Sequence, residues 1–314
     1  MRLHQRLGLE LGTVQTVGSV ASIASIWFSS LLFWQECLFL LKASRPGFWL
    51  TAIWFYGLPL GGRWPLHSFA FWMGLVYVGL PLGMLIYAAN DVTDERTDRL
   101  NPRKDSFLFG ARPTPAQIAR LPMRIALIQV PFLLGFWMLL GPRALLWFGS
   151  VVAVTMFYNC FAKDRPLWDV LAQAGYLSVF VLTNWLNPGA PSPWPLWILG
   201  ALFAMHSHLF GEIMDIVPDR AAQRRTTAVA IGARATKILV CLLLLVESLL
   251  ATTLTAKPWL PWLLLAGVVV FAVDAWLWRE RPYPTVLVKL FFMGWNAFLL
   301  CEIVESWLML RPMR

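Results

Sequence analysis

From Ser68 to Ala89 the chain runs for more than twenty residues without a charged side chain, then turns abruptly polar at Asn90 and Asp91. A helix of that length reaches across the hydrocarbon core of a bilayer. Other predominantly apolar runs, several of comparable length, recur along the 314 residues. Backbone in lipid must satisfy its own N–H and C=O groups, so these runs are expected as helices. Composition points the same way: 58% of residues are apolar and 14% charged, where a soluble domain carries about a quarter charged. The expected fold is an all-α polytopic membrane protein.

A single bundle of nine transmembrane helices is expected, at about 47–60, 68–90, 120–140, 144–161, 168–186, 196–215, 236–253, 260–277 and 286–308. Arg45–Pro46 opens the first, and Trp64–Pro65, Gly141–Pro142 and residues 187–195 mark turns. These helices make up one domain, residues 43–309, after an N-terminal segment of residues 1–42. Within that segment the apolar stretch 17–41 carries Gln35 and Glu36, which suits a helix lying in the membrane interface better than one crossing it. It lacks a small-residue cleavage site, so no signal peptide is expected. Cys37, Cys160, Cys241 and Cys301 lie far apart in apolar segments, with neither metal-ligand spacing nor a disulfide framework. Net charge is +9, but it is divided among short loops, and no basic patch interleaved with polar recognition residues occurs. Nucleic acid is therefore excluded as a partner, and the sequence predicts no particular protein partner.

Two acid clusters leave the ends of two membrane-length runs. Asp91, Asp94 and Asp98 recur at three and four residues, one face of a helix. His208, Glu212, Asp215 and Asp219 recur at four, three and four, again one stripe. Carboxylates this close repel one another unless a cation sits between them, and a hard divalent ion is the usual answer. Basic residues are concentrated beside both clusters and sparse at the other helix ends, which places the clusters on the cytoplasmic side of the membrane, the plasma (inner) membrane being expected. The second and sixth helices then run in the same direction, and their acidic ends face each other across one cavity. Such an arrangement suits a diphosphate bridged to metal ions, with Lys163, Arg165 and Arg224 supplying charge-assisted contacts. Lys163 and Arg165 read equally well as loop charges, and Arg96 is similarly double-edged. Tyr158 and Asn159 fall in the same region. His208, about 10 Å along the helix from Asp215, reads as a contact for the substrate or as a histidine bonded to a neighbour. Departure of diphosphate from an allylic carbon would leave a carbocation, which a dry apolar cavity preserves.

The string NDVTDERTD, residues 90–98, resembles the first aspartate motif of the UbiA superfamily of intramembrane prenyltransferases, NDxxDxxxD. DIVPDRAAQRRTTAVAIG resembles the second, YNCFAKDRPLWD is similar to the tyrosine-plus-lysine connection between the fourth and fifth helices, and Arg45–Pro46 is similar to the start of the first helix. The resemblance covers residues 43–305. It implies nine helices, two magnesium ions, an allylic prenyl diphosphate donor and a hydrophobic, lipid-soluble acceptor, with membrane lipids around the bundle. Asn90, Asp91, Asp94 and Asp98 match the first metal and diphosphate set, Asp215 and Asp219 the second, and Lys163 the diphosphate-binding lysine. Two departures stand out: Pro218 is expected to loosen or end its helix before Asp219, and Gln223 stands where many members have Gly. Asn101–Pro102–Arg103–Lys104, with PDRAAQRRTTA, resembles the branch that elongates carotenoids at the ends of lycopene, and Arg103 and Lys104 are placed at the substrate on that basis. Aromatic or quinone precursors and isoprenoid ether lipids are the alternative acceptors. A transporter or binder of a phosphorylated lipid is the alternative class, but no paired repeats with broken midplane helices are seen.

Glu247, Glu302 and Glu305 are acids within the seventh and ninth helices, and Asp274 lies near the end of the eighth. None aligns with the motifs, and hydrogen bonding across helices accounts for them as well as function does.

Overall fold

The computed structural model describes residues 33–61, 63–189, 191–254, 258–281 and 283–308. Residues 33–43 are helical; the rest of the expected 17–41 helix lies outside the described residues. From Lys42 onward the described chain forms one compact unit, whose regular elements among the described residues are all helices apart from a single bridge between Ser106 and Gly110. In chain order its helices are α1 (Trp49–Gly57), α2 (Phe69–Thr93), α3 (Glu95–Leu100), α4 (Pro115–Leu140), α5 (Pro142–Ala162), α6 (Trp168–Leu171) and α7 (Ser178–Leu186). There follow α8 (Trp194–Ala221), α9 (Thr227–Ile231), α10 (Ala233–Ala251), α11 (Leu260–Leu277) and α12 (Thr285–Leu308). Six of these, α2, α4, α5, α8, α11 and α12, are long and apolar enough to cross a bilayer.

Three of the nine expected spans fall short of that standard for physical reasons. The first is short, α1 flanked by single 3₁₀ turns. The fifth is interrupted, since a 3₁₀ stretch over Ala172–Leu177 separates α6 from α7. The seventh, α10, carries Arg234, Lys237 and Glu247 within one span.

Local chemistry sets the ends and the breaks. Ser68 caps α2, its hydroxyl accepting from the Phe71 N–H. Pro81 has no N–H to donate to the preceding turn, and α2 is irregular there. Gln129 of α4 ties into this irregular stretch: its amide donates to the Pro81 carbonyl at 2.8 Å and its oxygen accepts from the Tyr77 hydroxyl at 2.9 Å. α4 begins at Pro115, five residues before the expected start, because Thr114 and Gln117 form a capping box with Pro115 in the first turn. Beyond α9, the N-terminal N–H groups of Ala233 and Arg234 in α10 are met by the Glu280 carboxylate, at 2.7 and 3.2 Å.

The expectation that Pro218 ends its helix is corrected: α8 continues through it to Ala221. Only one hydrogen bond is forfeited so near the helix end, and the last turn is closed by Ala222 N–H to Pro218 O and Arg224 N–H to Asp219 O, both 2.9 Å. Gln223 just beyond has φ 61°, the left-handed region that glycine adopts freely and other residues adopt at a cost of roughly 1–2 kcal/mol.

Close approach at Gly83 fixes how the start of the bundle meets α2. A Cβ there would lie 2.4 Å from the Ser44 carbonyl oxygen, a backbone atom that cannot rotate away. Gly83→Ala is therefore expected to destabilise the protein by about 1–3 kcal/mol, read as a lowered melting temperature of the purified protein. An unchanged melting temperature would show that the two backbones do not pack this closely.

Candidate active site

A cavity of about 430 Å³ has its polar end at the C-terminal ends of α2 and α8. Asp94, Asp98, Lys163, Asp215, Asp219 and Arg224 line that end. Aromatic side chains including Phe48, Phe55, Phe203, Phe210, Phe292 and Trp295 line the remainder. Two π-helical turns deliver the polar groups: Met84–Ala88 stands just before Asn90 and Asp91, and Tyr158–Ala162 just before Lys163. Each adds a residue to a helical turn and so re-aims the side chains after it, a feature often found at functional sites.

The first acid stripe is divided by its partners. α2 relaxes at Asp94 and restarts as α3, with the Asp98 N–H bonded to the Asp94 carbonyl at 2.8 Å. Lys104 bridges Asp91 and Asp98, its ammonium 2.7 Å from each. Arg45 adds a second cation to Asp91 at 3.1 Å and lies over the Tyr87 ring, 4.8 Å from its centre. Asp94 instead meets Lys163 at 2.5 Å and Arg224 at 2.6 Å. Burial works against the Asp94 charge, but Lys163 and Arg224 outweigh it and hold the carboxyl below its ordinary range. At Asp98 burial wins, with Asp91 and Asp94 adding repulsion, and its carboxyl is pushed up to about 6 despite Lys104. Lys163 also donates to Asn90, and to Thr93 and Asn159 at 3.3 Å. Desolvation brings its ammonium down to about 8 against the pull of Asp94.

On α8, Asp215 accepts from Arg103 and, at 2.6 Å, from the Asn101 amide. Glu212 accepts from the Ala228 N–H at 2.9 Å, and His208 Nε2 lies 3.0 Å from its other oxygen. The Tyr158 ring stands edge-on to His208, 5.8 Å between centres.

Most of the expected site residues thus gather at one place. Asn90, Asp94, Asp98, Lys104, Tyr158, Asn159, Lys163, His208, Glu212, Asp215, Asp219 and Arg224 line the cavity, while Asp91 and Arg103 are buried immediately behind it. Arg96 and Arg165 are elsewhere: both are exposed, and Arg165 donates to the Phe161 carbonyl and stacks on its ring. Arg45, Asn101 and Asp169 were not among the expected residues. Their tie to the site runs through contacts with Asp91, Asp215 and Glu212, which no local spacing encodes. The buried acid Glu247 is bonded across helices, its carboxylate 2.6 Å from His206 Nδ1.

Five aspartates supply hard oxygen donors suited to a divalent cation, and Asp91 Oδ2 is buried without a hydrogen-bond partner. Among the described residues no three acidic, cysteine or histidine side chains converge into a ready-made cage. That pattern fits magnesium, which is commonly held by one or two carboxylates together with substrate phosphates.

A profile of the UbiA prenyltransferase family matches residues 46–297, and the chain belongs to that family. It is an integral membrane prenyltransferase. The chain is 29% identical over 253 residues to a lycopene elongase/hydratase of Corynebacterium glutamicum, covering 77% of this chain and 86% of the relative. It is 30% identical over 204 residues to a lycopene elongase/hydratase of Halobacterium salinarum, covering 62% and 72%. Its fold is similar to that of a UbiA homologue of Archaeoglobus fulgidus solved with GPP and Mg2+, at a TM-score of 0.65 and 15% identity over 85% of this chain and 98% of the other.

Anion binding beside Lys163 is expected to be sensitive to pH. As pH rises through about 8 the ammonium loses its proton, so affinity for magnesium diphosphate is expected to fall. In Lys163→Arg, whose guanidinium stays charged, that fall should disappear. Calorimetric titration of the parent and of Lys163→Arg at pH about 7 and about 9 checks this; an identical pH dependence in the two proteins would remove Lys163 from the anion site.

Proposed function

We propose that this protein uses magnesium to transfer a prenyl group from an allylic prenyl diphosphate to an end of a carotenoid, lycopene or a close relative, releasing diphosphate. The observation that carries this reading is the pairing of five aspartates with an aromatic-walled cavity. The names of the curated relatives support the carotenoid acceptor, and the ligands of the fold neighbour support the donor and the metal. Asp91, Asp94 and Asp98 would hold one magnesium ion, Asp215 and Asp219 a second. Bound there, magnesium would neutralise diphosphate charge and favour its departure.

The chain's own residues do the rest. Lys163, Arg224, Arg103 and Lys104 surround the diphosphate position with cations, and Asn90 and Asn159 orient the Lys163 ammonium. Aromatic walls exclude water from the allylic cation and present ring faces to it. All nine expected helices cross the membrane in this reading, with the aspartates on the cytoplasmic side of the inner membrane.

Purified protein in nanodiscs, given magnesium, a labelled allylic diphosphate and lycopene, is expected to release diphosphate in step with prenylated carotenoid. Transfer only to an aromatic precursor or an ether lipid would overturn the carotenoid acceptor. Asp91→Ala and Asp215→Ala are each expected to abolish turnover in a folded, inserted protein. Retention of more than about a tenth of the parent rate at saturating magnesium would sink the metal-bridging role, because each ligand should contribute more than about 1.4 kcal/mol to the transition state. For topology, single cysteines replacing Ser106 and Ser192 in a background without native cysteines should react with an impermeant reagent from opposite sides, Ser106 from the cytoplasm. Same-side labelling would overturn the helix count between them.

A further inference from the structure

Alkylation of a carbon acceptor by an allylic cation leaves a cation on the acceptor, which is discharged either by loss of an adjacent proton or by capture of water with loss of a proton from it, and both routes need a base. Asp91, Asp94, Asp98 and Asp215 each touch at least one Lys or Arg, which lowers their use as bases. An apolar acceptor would lie in the apolar part of the cavity, so its base must stand nearer that part than the five aspartates do. Two histidines of α8 border it, His206 and His208. Helix geometry separates them. His206 precedes Asp215 by nine residues, two and a half turns, so its side chain leaves α8 on the opposite side, where it bonds Glu247 of α10. His208 precedes Asp215 by seven, close to two full turns, and so shares its face about 10 Å farther into the membrane.

His208 also has the surroundings a base requires. Its Nε2 lies 3.0 Å from Glu212 Oε1; in the tautomer that carries its proton on Nε2, beside that carboxylate, Nδ1 holds the lone pair that can accept a proton. Glu212 is fixed by the Ala228 N–H at 2.9 Å, and the Asp169 carboxyl stands close enough to interact with it. Asp169 is held in turn by the Thr227 N–H at 2.6 Å and hydroxyl at 2.5 Å. Histidine, carboxylate and a buried second carboxyl thus run from the cavity wall into the protein, the order in which an orienting acid stands behind a general base.

We infer that His208 is the general base of the prenyl transfer and that Glu212, steadied by Asp169, is its positioning residue. This rests on the prenyl-transfer reading above. The donor C–O bond breaks with its electron pair on the diphosphate oxygen. The acceptor π pair forms the new C–C bond and leaves a cation one carbon away. The adjacent C–H pair then restores a double bond, and its proton passes to His208 Nδ1, where the Glu212 carboxylate stabilises the imidazolium.

The test compares His208→Gln and His208→Ala with the parent enzyme in nanodiscs, using labelled allylic diphosphate and whichever acceptor the parent prenylates. Both variants should lose at least about thirtyfold in kcat, with donor KM changed by no more than about twofold, the split expected of a lost proton acceptor rather than a lost binding group. Added imidazole should restore His208→Ala at least about fivefold and leave Lys163→Ala unchanged. His208→Gln retaining more than about a third of parent kcat, a loss confined to donor KM, or a failure of imidazole rescue would each overturn the inference. A parent protein that releases no diphosphate from any allylic donor would overturn the prenyl-transfer reading along with it, whereas an active parent beside a fully active His208→Gln overturns this inference alone.

Discussion

Asp91 has no solvent exposure, and a carboxylate in that position is unaffordable without cations against it. Arg45 comes from the turn before α1 and Lys104 from the segment after α3. One buried charge therefore ties three stretches of chain together, and Gly83 permits the approach by letting Ser44 sit against α2. Removing either cation would leave charge uncompensated, a loss of about 3–5 kcal/mol for a buried pair. Arg45 and Lys104 also line the cavity, so the network that holds the buried charge is continuous with the cavity's polar end.

α8 carries that polar end into the apolar interior. Its 28 residues span roughly 40 Å and hold Asp219, Asp215, Glu212 and His208 on one stripe, with Phe203 and Phe210 facing the aromatic lining. Its other side is anchored by the bond from His206 to Glu247 in α10 and by apolar packing of Leu209, Ile213 and Ile216 against Val240 and Leu244. A rigid helix spanning both environments keeps the charged end and the apolar cavity in fixed register, as the proposed transfer would require.

Irregular backbone is concentrated where the site needs it. The π turns before Asn90 and Lys163, the relaxed turn at Asp94 and the left-handed Gln223 beside Arg224 all lie at the cavity's polar end. A regular α2 and α3 would have kept Asp91, Asp94 and Asp98 on one uninterrupted stripe. The break instead gives Asp94 to Lys163 and Arg224 while Asp91 and Asp98 share Lys104.

Membrane-length apolar runs and the carboxylate spacings are local properties, and both were legible in the sequence: lipid forces the first into helices, and helical period places the second on common faces. α11 runs between the residues expected, and α2 starts directly after its Ser68 cap. The early start of α4 was written in Thr114 and Gln117 as well, a short signal easily lost beside the apolar pattern. Tertiary structure alone decided which cation meets which acid. Arg45, Asn101 and Asp169 enter the site across separations of 46, 114 and 43 residues (169 to 212), while Arg96 and Arg165, within the motif strings, are exposed. Spacing along a helix determines a face, but desolvation and loop geometry determine its partners, and both exist only after the bundle has closed.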